Sequence, residues 1–401
     1  MRFKSLDVFR GATVALMILV NNPGSWDHIY TPLDHAEWAG CTPTDLVFPF
    51  FLFAVGTALA FVMPKLEEKN IFWRKVITRT LLIFLIGLFI SWFPFIKWSG
   101  DNIVAKPWAF MNQQKFPDGS SLAYEDGVRI MGVLQRIALC YFFAAVIIHF
   151  FKVRGSFVVA SILLLGYWGL CVLANPSDPY SMTGYFGRNV DISILGKSHM
   201  LHGDKVNGIV YHFDYEGLAS SFAAIAQVLL GYIAGDYISK KGKTQEMLNG
   251  VFVAGVVLAA CGMMWGMQFP IIKKIWSSSY TIYTTGLALL ILGVMIFLIE
   301  FKKSEGWLSR FFDVFGKNAL FIFMLSGLLP RLMTLVRIPN GVNDAGEPKY
   351  LTPLSWFYEH CCKWILPDDP RIGSVIYAIC FIAFMWLLAW LLDKKKIYIK
   401  V

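Results

Sequence analysis

Seven stretches of this 401-residue chain, 46–64, 80–96, 155–177, 217–235, 249–272, 275–299 and 372–392, contain no Asp, Glu, Lys or Arg. About 20 apolar residues in a helix suffice to cross the hydrocarbon core of a bilayer. A water-soluble domain carries about a quarter charged residues; here 16% are charged and 56% are hydrophobic. In lipid every backbone amide must pair internally, which leaves helices or a closed barrel. The runs are longer than barrel strands and lack period-two alternation, so they are expected to be helical. Three more apolar stretches carry polar groups: 6–22 with Asp7 and Arg10, 128–150 with Arg129, Gln135, Arg136 and His149, and 311–330 with Asp313, Lys317 and Asn318. The segment 351–366 holds Glu359, His360 and Lys363 and reads as an interfacial or re-entrant helix, leaving an eleventh span open there. The expected fold class is all-α: a polytopic integral membrane helix bundle of about ten transmembrane helices, or eleven, forming a single domain over 1–401.

Basic residues orient such a bundle, because loops rich in Lys and Arg stay cytoplasmic. One set of connections holds Arg2 and Lys4, Lys65 to Lys75, Lys152 and Arg154, Lys240 to Lys243, Lys302 to Arg310, and Lys394 to Lys400. The alternate set, near 23–45, 97–127, 175–215, 271–274 and 331–371, is mostly longer and more dilute in basic charge. Both termini are therefore expected in the cytoplasm and the long loops on the outer side. The net charge of +9 follows from this asymmetry. Its basic residues are scattered over inner loops rather than gathered on one face, which argues against a nucleic-acid partner. Residues 6–22 lack a small-residue cleavage motif and read as a retained span rather than a signal peptide. The seven cysteines show no metal-ligand spacing, and adjacent Cys361 and Cys362 are too close for an ordinary disulfide.

Several polar groups need a reason at membrane depth. Asp7 and Arg10, three apart, can share a helix face as an interfacial ion pair, or Arg10 can offer its fork of donors to phosphate oxygens. Gln135 and Arg136 lie inside the fourth apolar stretch, where a guanidinium must pair or line a cavity. Arg129, seven residues earlier, would extend them into a basic stripe. The connector after the first span holds Asn21, Asn22, His28, His35, Glu37 and Asp45. There a neutral imidazole could take a proton from an attacking amine or hydroxyl while a carboxylate fixes its tautomer and an amide holds a carbonyl. His35 and Asp45 are ten residues apart, so only tertiary packing can join them; an ordinary interfacial histidine is the competing reading. His199, His202, Asp204, His212 and Asp214 offer possible ligands but no HExxH pattern, and a satisfied polar loop is the better reading; no metal is expected. Glu216 and Ser220, four apart, suit either a helix cap or a binding edge.

The motifs SLDVFRG, LMILVNNPG, HAEWAGCTPTDLVFPFFLFAVG, GVLQRIAL, FDYEGLASSFAAIAQVLLG, KKIWSSSY and FGKNAL occur in this order along nearly the whole chain. In this the sequence resembles the heparan-alpha-glucosaminide N-acetyltransferase family and its bacterial relatives, within the transmembrane acyltransferase superfamily. The resemblance implies a multi-span enzyme that uses acetyl-CoA from the cytoplasmic side and modifies a sugar amino group facing the opposite compartment. Carried over by motif, it makes His35 the active histidine, Asn21 its nearby asparagine and Asp45 its aspartate. Tyr215 and Ile272 depart from the family's proline and asparagine, which leaves room for a different acceptor.

The function expected is a multi-pass acetyltransferase of the bacterial inner membrane that moves acetyl from acetyl-CoA to an amino sugar, a glucosamine-type glycan end. His35 would be the base, Asp45 its orienter and Asn21 the holder of the carbonyl oxygen. Arg10, Gln135, Arg136, Ser220, Lys273 and Asn318 are expected to bind the donor. Partners are acetyl-CoA, the glycan acceptor and membrane lipids, with room for a homodimer. Two alternatives stand beside this reading: O-acylation of a cell-envelope polysaccharide, and a secondary transporter of sugars or organic anions. The two halves of the chain show no matching repeat of their polar motifs, which counts against transport.

Overall fold

The computed structural model describes residues 3–66, 68–116, 120–202, 204–304, 306–342 and 348–399. Arg2 and Lys400, both in the expected inner basic set, lie outside the described residues. The helices in chain order are α1 (Lys4–Asn21), α2 (Val47–Val62), α3 (Lys69–Trp92), α4 (Val133–Ala174), α5 (Gly187–Leu195) and α6 (Ser221–Lys241). They continue with α7 (Gln245–Trp265), α8 (Ser278–Ile296), α9 (Trp307–Lys317), α10 (Ala319–Met333), α11 (Pro353–Phe357) and α12 (Pro370–Lys394). The strands form four separate antiparallel hairpins: β1 (Ile96–Ser99) with β2 (Asn102–Ala105), β3 (Ala109–Lys115) with β4 (Ser121–Gly127), β5 (Asp204–Val206) with β6 (Ile209–Tyr211), and β7 (Ile338–Val342) with β8 (Pro348–Leu351). Every hairpin falls in, or one residue before, a loop expected on the outer side. The chain is thus a multi-pass, helical membrane protein with small hairpins in its long connections.

The expected ten or eleven spans are corrected. Among the described residues seven helices are long and apolar enough to cross a membrane, or eight if the bent pair α9 and α10 is one span. Three places account for the difference. Residues 4–21 form a helix of 18 residues, but Lys4, Asp7 and Arg10 charge its first turns. The stretches 128–150 and 155–177 belong to one 42-residue helix broken at Lys152, where φ is +54°. Straight, such a helix would measure about 63 Å, twice a hydrocarbon core, and the break lies between its apolar halves. The stretch 311–330 bends by 81° between α9 and α10. The candidate eleventh span at 351–366 resolves into α11, a π-helical turn at 358–362 and a 3₁₀ turn at 363–365, none long enough to cross.

Small residues set the centre of the bundle. In lipid the helices gain little from hydrophobic exclusion, so close backbone packing has to hold them together. A methyl group on Gly56 of α2 would overlap the Val228 carbonyl of α6, and one on Gly231 would overlap the Phe53 carbonyl. The span of each of these two helices is 67% buried, against 17% for α3. The exposed face of α3, with Leu81, Leu85 and Phe89 at i, i+4 and i+8, is suited to lipid. Gly11 and Gly316 likewise bring α1 against α9. Two hydroxyl caps fix the helices that flank the site: Thr244 accepts from Met247 N at 3.2 Å before α7, and Ser277 accepts from Tyr280 N at 3.3 Å before α8.

Candidate active site

The connector between α1 and α2 is closed by a capping box. Thr42 and Asp45 exchange side-chain and backbone bonds at the 3₁₀ turn Pro43–Leu46, which leads into α2. This turns the Asp45 carboxylate back over its own loop, where it is fully buried. Its Oδ2 accepts from Ala36 N at 3.1 Å, Thr42 N at 3.0 Å and Thr42 Oγ1 at 3.1 Å. Its Oδ1 lies 2.7 Å from His35 Nδ1. The histidine and the aspartate separated by ten residues are therefore joined by a loop whose shape the aspartate itself fixes. Tyr280 of α8 donates to the Asp45 carbonyl at 2.5 Å and ties the turn to the bundle.

Lys273 comes to the same point from the link between α7 and α8. That link is held by Ser277 N donating to Ile272 O at 3.0 Å and Trp276 N donating to Lys273 O at 2.9 Å. Gly40 N donates to Ile271 O at 2.8 Å, which binds the two loops together. The Lys273 Nζ lies 2.9 Å from His35 Nδ1, 3.3 Å from Nε2 and 3.3 Å from Asp45 Oδ1. Burial lowers the pKa of Lys273, against the opposing pull of Asp45 and Glu216. Burial, followed by the nearby Asp45 charge, pushes the Cys41 thiol up to about 12, so that thiol is a poor nucleophile.

A cavity of about 130 Å³ is lined by Asn21, His35, Asp45, Tyr215, Glu216 and Lys273 among others. The Asn21 amide has no protein hydrogen-bond partner among the described residues and is free to bind a ligand. A second cavity, of about 320 Å³, shares Asn21 and Val133 with the first and adds Gln135, Arg129 and Arg331. Gln135 is almost fully buried and its Nε2 has no hydrogen-bond partner among the described residues. These two cavities bring together Asn21, His35, Asp45, Lys273 and Gln135.

Arg136 and Ser220 stand behind this surface and bind each other. The same guanidinium donates to Gly217 O at 2.8 Å and lies 5.1 Å from the centre of the Trp276 ring, while its Nε and Nη1 have no hydrogen-bond partner among the described residues. Among the described residues no carboxylate lies within ion-pair distance of Arg136. Arg129, expected to extend it into a basic stripe, is instead neutralised: it holds Asp214 through two bonds of 3.0 and 2.6 Å and also Glu216. Burial favours the neutral acid of Glu216, but Arg129 and Arg136 outweigh it and lower the pKa. The histidines downstream are engaged singly: His199 with Val128 O, His202 with Asp126 and His212 with Glu125 O. Among the described residues no group of three or more His, Cys, Asp or Glu side chains is placed to hold a metal ion.

Arg10 and Asn318 lie elsewhere. Arg10 is eleven residues before Asn21 on α1, about 16 Å along the helix. It contacts Asp7 at 2.9 Å and Gly316 O at 2.6 Å, and it lines a cavity of about 300 Å³ with Arg79 and Lys317. Asn318 is occupied by the C-terminal segment, donating to Ile397 O at 3.0 Å and accepting from Ile399 N at 2.8 Å. Arg79 was not singled out in the sequence, because its place in the third helix gave no sign that its buried Nε would lack a partner beside Arg10. Asp191 was also missed: on the short α5 it is buried, accepts from Leu218 N at 2.7 Å, and burial raises its pKa to about 7.

Residues 2–177 match the family model described as "Heparan-alpha-glucosaminide N-acetyltransferase, catalytic". The chain is similar to the mouse heparan-alpha-glucosaminide N-acetyltransferase, 26% identical over 454 aligned positions that cover all of this chain and 60% of the relative. It is similar to the human protein of that name, 26% identical over 378 positions that cover 80% of this chain and 52% of the relative. The chain thus spans roughly half to three fifths of the curated relatives it matches. The family match covers Asn21, His35, Asp45 and the whole of α4, so the part of the chain that carries the His35–Asp45 pair is similar to the catalytic region of heparan-alpha-glucosaminide N-acetyltransferases.

Proposed function

We propose that this protein moves acetyl from acetyl-CoA to the amino group of an amino sugar, a glucosamine-type glycan end, across the membrane in which it sits. The observation that carries the reading is the buried Asp45 holding His35 at 2.7 Å in a cavity that Asn21 also lines. With Nδ1–H directed at Asp45, the Nε2 lone pair is left to take a proton. The acceptor amine attacks the thioester carbon, His35 Nε2 removes a proton from the nitrogen, the Asn21 amide donates to the oxygen as negative charge develops there, and the C–S bond then breaks to release coenzyme A as its thiolate. In this reading the coenzyme A phosphates approach the cavity of Arg10, Arg79 and Lys317, and the acyl arm reaches toward Asn21 past Gln135. Arg136 and Ser220 hold the segment leading into α6, which carries Glu216 at the reaction cavity.

The basic loops support an orientation with both termini and the donor entrance in the cytoplasm, and with the hairpins and acceptor on the periplasmic side of a bacterial inner membrane. The test uses purified protein, acetyl-CoA labelled in the acetyl group, and a panel of amino sugars and neutral glycans with product masses read out. Acetyl on the amine of a glucosamine-type end is the expected product. Consumption of acetyl-CoA with label on a hydroxyl of a neutral glycan would reassign the acceptor, and no transfer to any member would overturn the reading.

A further inference from the structure

The contact of 2.7 Å between His35 Nδ1 and Asp45 Oδ1 needs a proton on Nδ1, since two lone pairs at that distance repel. Lys273, although 2.9 Å from that nitrogen, therefore cannot donate to it. Its remaining acceptor is Asp45 Oδ1 at 3.3 Å, and Nε2, also 3.3 Å away, directs its lone pair along another line, since Nζ sits beside the ring between the two nitrogens. That lone pair is the one assigned above to the acceptor's proton. Lys273 thus lines the reaction cavity and sits within proton-transfer distance of the base.

The other charged and titratable groups around it leave its role intact. From the connector before α2 it faces His35, Asp45 and the Cys41 thiol; from the segment before α6 it faces Glu216, which is already paired with Arg129. Its neighbour Lys274 lines the same cavity but is paired with Asp204 at 3.2 Å. Acyl transfer from a thioester requires two proton movements, one off the attacking amine and one onto the departing sulfur. A single His35 positioned by Asp45 serves the first.

We propose that Lys273 is the general acid of the reaction: its ammonium protonates the departing coenzyme A thiolate and is recharged by His35. The inference rests on the acetyl-transfer reading. The amine nitrogen forms a bond to the acetyl carbon and the C–S bond breaks. The amine proton goes to His35 Nε2, the Lys273 ammonium gives a proton to the sulfur, and the imidazolium passes its proton to the now neutral Lys273. The sum is one thioester and one amine consumed, one amide and one thiol formed, with both side chains restored. Desolvation of Lys273 brings its acidity closer to that of an alkyl thiol, which favours the transfer.

Leaving-group chemistry provides the test. The donors are acetyl-CoA and S-(4-nitrophenyl) thioacetate, whose aryl thiolate departs without needing a proton. Lys273→Met should lose about 10²- to 10³-fold in kcat/KM with acetyl-CoA, the range for one general acid, and about threefold or less with the aryl donor. Lys273→Arg keeps the positive charge but holds its proton too tightly to release it, so the same split is expected from a variant with the native charge balance. His35→Ala should lose on both donors. Equal losses on both donors in the folded Lys273 variants, or no loss on either, would overturn the proposal while leaving acetyl transfer standing. A wild-type protein that acetylates no amine from either donor would overturn the parent reading and this one together.

Discussion

Replacing Asp45 by Asn is the sharpest test of how the site is built. The amide oxygen can take the place of Oδ2 and keep the contacts from Ala36 N, Thr42 N and Thr42 Oγ1 at 3.0 to 3.1 Å, so the capping box and the loop should survive. The amide nitrogen must then face His35 Nδ1 across the present 2.7 Å gap, and it can only donate. The imidazole is driven into the other tautomer, with its proton on Nε2, and the base loses its lone pair. A wrong-tautomer effect of this kind costs about 10³- to 10⁴-fold in kcat, or roughly 4 to 5.5 kcal/mol in the barrier. Loss of the carboxylate charge beside Lys273 adds a stability cost of about 1–3 kcal/mol, one charge-assisted contact in a buried setting. Initial rates over a range of acetyl-CoA concentrations, on protein shown to be monodisperse and folded, would separate kcat from KM. A folded Asp45→Asn variant within tenfold of wild-type kcat, or a loss carried wholly by KM for the donor, would refute the tautomer argument.

Asn21→Ala should slow turnover by about tenfold to a thousandfold if its amide stabilises the developing oxyanion, and an unchanged kcat would make it a solvation residue. Arg136→Gln should lower both the melting temperature and the affinity for acetyl-CoA, because the guanidinium anchors Gly217 and Ser220 and keeps two donors free of protein partners; wild-type affinity in a folded but destabilised variant would leave only the anchoring role. Asp191 carries a pKa raised by burial to about 7, so its carboxyl favours the folded state below the ordinary carboxylate range and that contribution is lost as pH rises toward 7. Asp191→Asn should therefore raise the melting temperature relative to wild type more at pH 8 than at pH 5, with an upper bound of about 4 kcal/mol; a pH-independent difference would contradict this.

What was legible in the sequence tracks what local chemistry fixes. The seven charge-free stretches each lie wholly or largely in a helix, because apolar length alone decides that outcome in lipid. The stretches carrying charge were misjudged as separate spans: periodicity could not show that Asn318 would break one run by 81° or that two runs would join through Lys152. The pairing of His35 with Asp45 had a local signal in Thr42-Pro-Thr-Asp45, a capping-box pattern that turns the carboxylate back over its loop. The position of Lys273 had none, since it depends on a link 238 residues further along the chain being packed against the connector. Arg129 looked like part of a cationic stripe because its partners, Asp214 and Glu216, lie 85 and 87 residues away.

The central claim, acetyl transfer to an amine through His35, is tested most directly by mass analysis of product and protein after mixing labelled acetyl-CoA with a glucosamine-type acceptor, for wild type and His35→Ala. One labelled acetyl is expected on the acceptor nitrogen with wild type and none above the uncatalysed background with the variant, both proteins being folded in the membrane. Equal labelling of the acceptor by the two proteins would contradict it.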